Sequence, residues 1–553
     1  MGPEAGLLAG LDIASFAEVL GRVVSVLAAH PTRMLEPARR YAGALAWAGV
    51  AASGRAFGLA VGGLEPEPGD RRFRDPSWSS NPWFFWHQQA HLAWARYARE
   101  LVDAADLDPA ATDKAHFAVG LLVDAASPTN FLPTNPVALR RAFDTGGLSV
   151  LEGLANFFSD LVTNRGMPRQ VDTSVFRLGE NLAATPGKVV FRNDLMELIQ
   201  YSPQTETVHE IPLLLSPPWI NKYYIMDLAP GRSFTEWAIS NGHTVFTISY
   251  RNPDESMRDV ALDDYLLRGP HDALDVIAEI TGCEHVNIVG LCLGGTLTTM
   301  LLAHLAAHEH DRVRSATLLN TLVDFSEPGP MGRFIDKGSV ERLSKKMLER
   351  GYLEATDMST MFDLLRARDL IWNYVESGWL MGQPPPAFDI LAWNGDGTRM
   401  PADMHSFYLR YCYVENQLAR GEMTLAGTRL HLDRITADTY VLAAKEDHIA
   451  PWLSSYASTK VLGGDMRFVL TSSGHVAGIV NPPGPRRRYW TNDELSADPG
   501  AWLAGATEHT GSWWEDWAGW IGERAGGRRS PPSMGSASHP PIDDAPGVYV
   551  HQK

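Results

Sequence analysis

The chain has 553 residues, 45% apolar, 20% charged and 10% aromatic, which suits a globular protein of roughly two to four domains. A formal net charge of −17 excludes the basic face that a nucleic-acid binder needs. The three cysteines, Cys283, Cys292 and Cys412, exclude a disulfide framework and fit a reducing cytoplasm.

Taken in chain order, the start Met1-Gly-Pro-Glu-Ala-Gly lacks a basic n-region, and Asp12, Glu18 and Arg22 interrupt the apolar positions that follow. Neither a signal peptide nor a spanning helix is expected there, and no uninterrupted apolar run of about 18 residues occurs elsewhere. Residues 1–195 read as a helical N-terminal domain, with apolar residues at helical spacing from Phe16 to Leu27 and again from Trp83 to Tyr97. Between them and the next helix, Ser127-Pro-Thr-Asn-Phe-Leu-Pro-Thr-Asn-Pro is a loop. The rings of Trp83, Phe84, Phe85, Trp86 and Trp94 admit two readings: anchors for self-association and a greasy surface, or the domain's own core.

The pattern changes over residues 196–553, where short apolar runs alternate with helical stretches. Ile211–Leu215, His243–Ser249, Val286–Val289, Ala316–Asn320, Thr439–Ala443 and Met466–Leu470 read as buried strands of a mostly parallel sheet covered by helices. An interruption over about 325–435, rich in Met, Trp and Tyr, is too long for a bare loop and reads as a lid or cap. The tail, about 526–553, is rich in Gly, Pro, Ser and Arg and is expected to be an extended arm or disordered.

The strongest local signal is Gly290-Leu-Cys-Leu-Gly294, with a strand before it and a helix after it. It has the form of the G-x-S-x-G nucleophile elbow of the α/β-hydrolase fold, with Cys292 in place of serine. Glycines permit the close approach that such a turn demands, and a thiol at a helix N-terminus is favoured as thiolate. A nucleophile needs a base, and the base an orienting acid. In the order of this fold both follow the nucleophile, each after a late strand, which selects Asp447 in Lys445-Glu-Asp-His and His475 in Ser472-Ser-Gly-His. Glu446, Asp465 and His448 are the competitors. An oxyanion hole would draw one backbone N–H from Leu293 and a second from Trp219 or Ile220 in Ser216-Pro-Pro-Trp-Ile-Asn-Lys. No His-Glu-x-x-His, paired Cys-x-x-Cys, calcium loop, dinucleotide fingerprint or phosphate loop is present, so neither metal nor cofactor is expected.

From about Asp70-Arg-Arg-Phe to near its end the chain resembles the polyhydroxyalkanoate synthases. The resemblance rests on Pro217-Pro-Trp-Ile-Asn-Lys-Tyr-Tyr-Ile, Arg251-Asn-Pro-Asp, the elbow, Asp369-Leu-Ile-Trp-Asn-Tyr and Trp393-Asn-Gly-Asp. It continues in Glu446-Asp-His-Ile-Ala-Pro-Trp, Ser473-Gly-His-Val-Ala-Gly and Gly511-Ser-Trp-Trp-Glu-Asp-Trp. The elbow looks like that of the single-chain class acting on short 3-hydroxyacyl-CoA, since Leu293 stands where the medium-chain class carries serine. Tyr250 and Ala367-Arg368 depart from the family's usual Trp and Pro-Asn. The resemblance implies an acyltransferase that polymerises (R)-3-hydroxyacyl-CoA through an acyl-Cys292 intermediate. It further implies 3-hydroxybutyryl-CoA as monomer and a cytoplasmic enzyme seated on polyester granules. Its partners would be a second copy of the chain, the growing polymer and granule-associated proteins. The alternatives are an esterase or depolymerase of the same fold, for which serine would be expected at position 292, and a granule scaffold without activity.

Overall fold

The computed structural model describes residues 13–59 and 61–553. They form two compact units: a helical one, residues up to Asp172 joined by Asp357–Ala387, and a catalytic one, Thr173–Thr356 with Phe388–Lys553.

In the helical unit three helices begin alike. Asn81, Asp108 and Asn135 precede Pro82, Pro109 and Pro136, and each side-chain carboxyl or amide oxygen accepts from N–H groups of the first turn. An Asx cap followed by proline combines a satisfied end with a preset φ. The helices Ile13–Ala29, Pro82–Ala105 and Pro109–Ala125 meet through Val19, Val23, Leu27, Val102, Ala115 and Val123. Trp94 packs against this core, while Phe85 and Trp86 pack with Ala51 and Ala52. Most of the Trp83–Trp94 rings are therefore core, because helical spacing turns them toward neighbouring helices; Trp83 stays exposed.

Part of the insertion foreseen over 325–435 folds into this helical unit. Leu364, Ala367 and Ile371 form a cluster with Leu121 and Met167, and Arg368 reaches Asp124 at 2.7 Å and Glu67 at 3.3 Å. The departure from the family pattern at Arg368 thus carries an ion network. The helix Leu148–Thr163 is built inside out. Ser149, Gly153 and Asp160 are buried, whereas Leu148, Leu151, Leu154, Phe158, Leu161 and Val162 are exposed. Its inward face is held by polar contacts: Trp379 Nε1 and Arg169 Nε donate to Asp160 at 2.9 and 2.8 Å, and Asn156 donates to the Gly378 carbonyl at 3.0 Å.

The catalytic unit is organised by an 11-stranded sheet whose strands begin, in spatial order, at Thr507, Arg488, Met466, Asp438, Val313, Val286, Leu213, Val245, Met196, Gly187 and Asp543. The six from Met466 to Val245 are mutually parallel. Antiparallel strands flank them on both sides. Helices covering both faces explain why Val286–Leu291 and Val245–Tyr250 are buried throughout rather than alternating. This is the α/β-hydrolase arrangement anticipated from the elbow. The tail is an extended arm: Arg528–Arg529 pairs with Val208–His209, and Asp543–Asp544 adds the edge strand beside Gly187–Arg192. Its polar, glycine- and proline-rich sequence builds no core of its own, so it is ordered by lending backbone hydrogen bonds to an existing edge.

Candidate active site

Parallel strands deliver their C-terminal ends to one side of the sheet, and the site is assembled there. Cys292 sits between the strand Val286–Leu291 and the helix Leu293–Ala307 at φ 52°, ψ −117°, a strained conformation for a residue with a Cβ. Its N–H donates to the Leu319 carbonyl at 2.8 Å, and its own carbonyl accepts from Gly295 and Thr296 at 2.9 and 3.1 Å. Glycine is required at 294, where a Cβ would be driven into the carbonyls of Ser216 and Pro217. That closeness brings the segment following the strand Leu213–Ser216 against the start of the elbow helix.

Asp447 follows the strand Asp438–Ala444, and its side chain is fully buried. One oxygen accepts from the N–H groups of Ile449 and Ala450 at 2.8 and 2.9 Å; the other binds His475 Nδ1 at 2.6 Å. Three hydrogen bonds therefore fix the carboxylate and, through it, the plane of the imidazole. His475 opens a short helix after the strand Met466–Thr471, and Asn320 Nδ2 donates to its carbonyl at 2.5 Å. Burial opposes a charge on His475, but the Asp447 carboxylate and then Cys292, which also hydrogen-bonds the ring, outweigh it. The imidazolium is held well above the ordinary histidine value.

Of the three cysteines, only Cys292 combines partial exposure with these partners. Cys283 lies beyond the opposite end of the six-residue elbow strand, about 20 Å away by strand rise. Cys412 is fully buried, which pushes its thiol up. Among the competitors, Asp465 precedes its strand and lies at the wrong end of the sheet, and it is Asp447, not Glu446, that meets His475. Leu293 is buried at the first position of the elbow helix; Trp219 is buried and Ile220 half-buried in the adjoining segment. Trp219 is held by Thr398 Oγ1, which donates to its carbonyl at 2.9 Å, and by edge-on packing against Tyr408 at 5.5 Å.

Sequence reasoning passed over Tyr408 and Tyr413. They lie at the end of the helix Ala402–Tyr408 and in the π-helical turn Leu409–Val414, with ring centroids 5.6 Å apart. Tyr413 also packs against Phe325 at 4.9 Å. Burial first, then neighbours that include Cys292, keep both phenols neutral far above neutrality. The insertion's aromatic content was visible in the sequence, but a π turn has no pattern of its own there. One group of metal-ligating type occurs among the described residues, His271, Asp272 and Asp275; Asn193 and Arg312 engage its carboxylates.

Comparison with known proteins agrees with the fold. Residues 69–238 match the family model described as poly-beta-hydroxybutyrate polymerase (PhaC) N-terminus, and residues 219–482 match the alpha/beta hydrolase fold. The poly(3-hydroxyalkanoate) polymerase of Methylorubrum extorquens is 42% identical over 100% of this chain and 92% of its own length. The poly(3-hydroxyalkanoate) polymerase subunits of Rhizobium meliloti (strain 1021) and Cupriavidus necator are 45% and 43% identical, over 87% and 88% of this chain and 79% and 83% of theirs. This chain belongs to the poly(3-hydroxyalkanoate) polymerase family.

Proposed function

We propose that the chain polymerises (R)-3-hydroxyacyl-CoA, with 3-hydroxybutyryl-CoA as its monomer, through an acyl-enzyme on Cys292. The observation that carries this reading is a cysteine elbow whose imidazole is both oriented by a buried carboxylate and charged beside the thiol. The Cys292 thiolate attacks the thioester carbonyl. The N–H groups of Leu293 and of Trp219 or Ile220 receive the oxyanion, and coenzyme A leaves as thiol with the proton of His475. The 3-hydroxyl of the next unit or of the chain end then gives its proton to His475 and attacks the acyl group, forming the ester and returning the thiolate. Cysteine suits the first step because one thioester is exchanged for another. Coenzyme A in the substrate supplies the activation, so the reaction calls for no cofactor.

The product is an insoluble polyester, and the exposed apolar face of Leu148–Thr163 offers a surface for the granule or for a second copy. No helix of the described residues is long and apolar enough to cross a membrane. Cytoplasmic granule attachment and a homodimer complete the proposal. Coenzyme A release measured across 3-hydroxyacyl chain lengths, with the polymer weighed, tests it. Release of free 3-hydroxy acid without polymer would replace the polymerase reading by that of an esterase.

A further inference from the structure

Lys222 closes the segment Ser216–Lys222 that carries Trp219 and Ile220, and its side chain is only 2% exposed. Its Nζ donates to the carbonyls of Val550 and Gln552 at 2.8 and 2.6 Å, while the nearest carboxylate, Asp396, stands at 4.0 Å. A buried ammonium needs such partners, and here most of them are two backbone oxygens of the arm that follows the edge strand. That arm is fixed independently. The Tyr549 N–H donates to Glu197 at 3.0 Å, Tyr549 OH donates to the Asn193 carbonyl at 2.7 Å, and Val550 is fully buried. Beyond it, Gln552 Oε1 accepts from the Asn252 N–H at 3.0 Å. On the other side of Lys222, Trp393 Nε1 donates to the Lys222 carbonyl at 2.7 Å. The segment is thus pinned at its start by the elbow helix, at Trp219 by Thr398, and at its end by Lys222.

We propose that Lys222 is a positioning residue: clamped by the carbonyls of Val550 and Gln552, it holds the Trp219–Ile220 backbone where an oxyanion would form. This rests on the Cys292 mechanism above. Without the two carbonyls the ammonium turns outward to water and carries the segment with it. The N–H donors then lose their aim, while the His475–Asp447 pair, held by other elements, still generates the thiolate. The defect falls on the transition state and not on substrate binding or thiol reactivity.

The test compares Lys222→Met, Lys222→Arg and deletion of Val550–Lys553, each in the otherwise full chain, with Cys292→Ala in parallel. Coenzyme A release from 3-hydroxybutyryl-CoA gives kcat and KM, and iodoacetamide reports Cys292 reactivity. Lys222→Met and the deletion are each expected to lower kcat by about 10- to 100-fold, with KM and alkylation rate within about twofold. Their combination should cost little more than either alone, because they break one clamp. Lys222→Arg, which keeps charge and donors, should recover part of kcat. Unchanged kcat in Lys222→Met overturns the proposal, and so does alkylation slowed as much as turnover, which would mean that the elbow itself has collapsed. Additive losses would likewise sink the clamp. Full turnover in Cys292→Ala would instead overturn the underlying mechanism, whatever the Lys222 variants do.

Discussion

The two units use opposite rules for placing apolar and polar groups. In the catalytic unit the central strands are buried along their length, and the polar side chains of the candidate site sit where strands end, each with named partners: Asp447 with two N–H groups and His475, Asn320 with the His475 carbonyl. The helical unit is the smaller, yet it holds most of the exposed large apolar side chains of the described residues. Its Leu148–Thr163 helix even buries Asp160 while leaving Phe158 and Leu161 outside. Its outward apolar face reverses the usual amphipathic order of a surface helix.

Substitutions should separate these two kinds of design. The largest effect belongs to Cys292→Ala, for which coenzyme A release should fall by about 10⁴-fold or more with an unchanged circular dichroism spectrum. Appreciable turnover that instead depended on Cys283 or Cys412 would break the assignment. Next comes the pair below it. His475→Gln should cost about 10³- to 10⁴-fold and Asp447→Asn somewhat less, read as coenzyme A release per second. The sign of the pH effect follows from the charge state. A histidine raised by its partners stays protonated as pH climbs past its ordinary value, and removing the carboxylate lowers it again. Asp447→Asn should therefore move the alkaline limb of the kcat profile to lower pH; a limb that stayed put would deny Asp447 its part.

Smaller effects are expected in the helical unit. Replacing Leu151 and Phe158 together by glutamate should leave turnover on soluble substrate within about twofold and stability within about 0.5 kcal/mol, since both side chains are exposed. Cosedimentation with polyester granules, or the dimer fraction in analytical ultracentrifugation, should drop several-fold; no change in either would return this face to ordinary surface. On the opposite side of the same helix, a Cβ on Gly153 would run into the Trp379 carbonyl. Gly153→Leu should cost about 1–3 kcal/mol in urea titration while coenzyme A release from the protein that remains folded is preserved.

The residues of the candidate site were legible in the sequence because each belongs to a short strand-then-turn pattern read within about ten residues. Strand, Gly-x-Cys-x-Gly and helix announce Cys292, and the ends of Asp438–Ala444 and Met466–Thr471 announce Asp447 and His475. What was not legible depends on residues far apart in the chain. Nothing near Lys222 signals that carbonyls more than 300 positions later will hold it. Helical spacing cannot tell which neighbour a face meets, so the Trp83–Trp94 run admitted both an anchor and a core reading; Phe85, Trp86 and Trp94 pack into cores, while an outward apolar face lies on Leu148–Thr163. The insertion's division between units rests on pairs such as Leu121 with Leu364 and Asp124 with Arg368.

That division has a practical meaning for dissecting the protein. The chain passes from the helical unit to the catalytic one after Asp172, returns at Asp357, and leaves again after Ala387. Three covalent passages join the two, and no single cut separates them. Deleting the residues up to Asp172 would leave Leu364, Ala367 and Ile371 without Leu121 and Met167, Arg368 without Asp124, and Trp379 without Asp160. Loss of activity after such a truncation would record an orphaned graft as readily as a missing function. A clean excision removes both pieces of the helical unit.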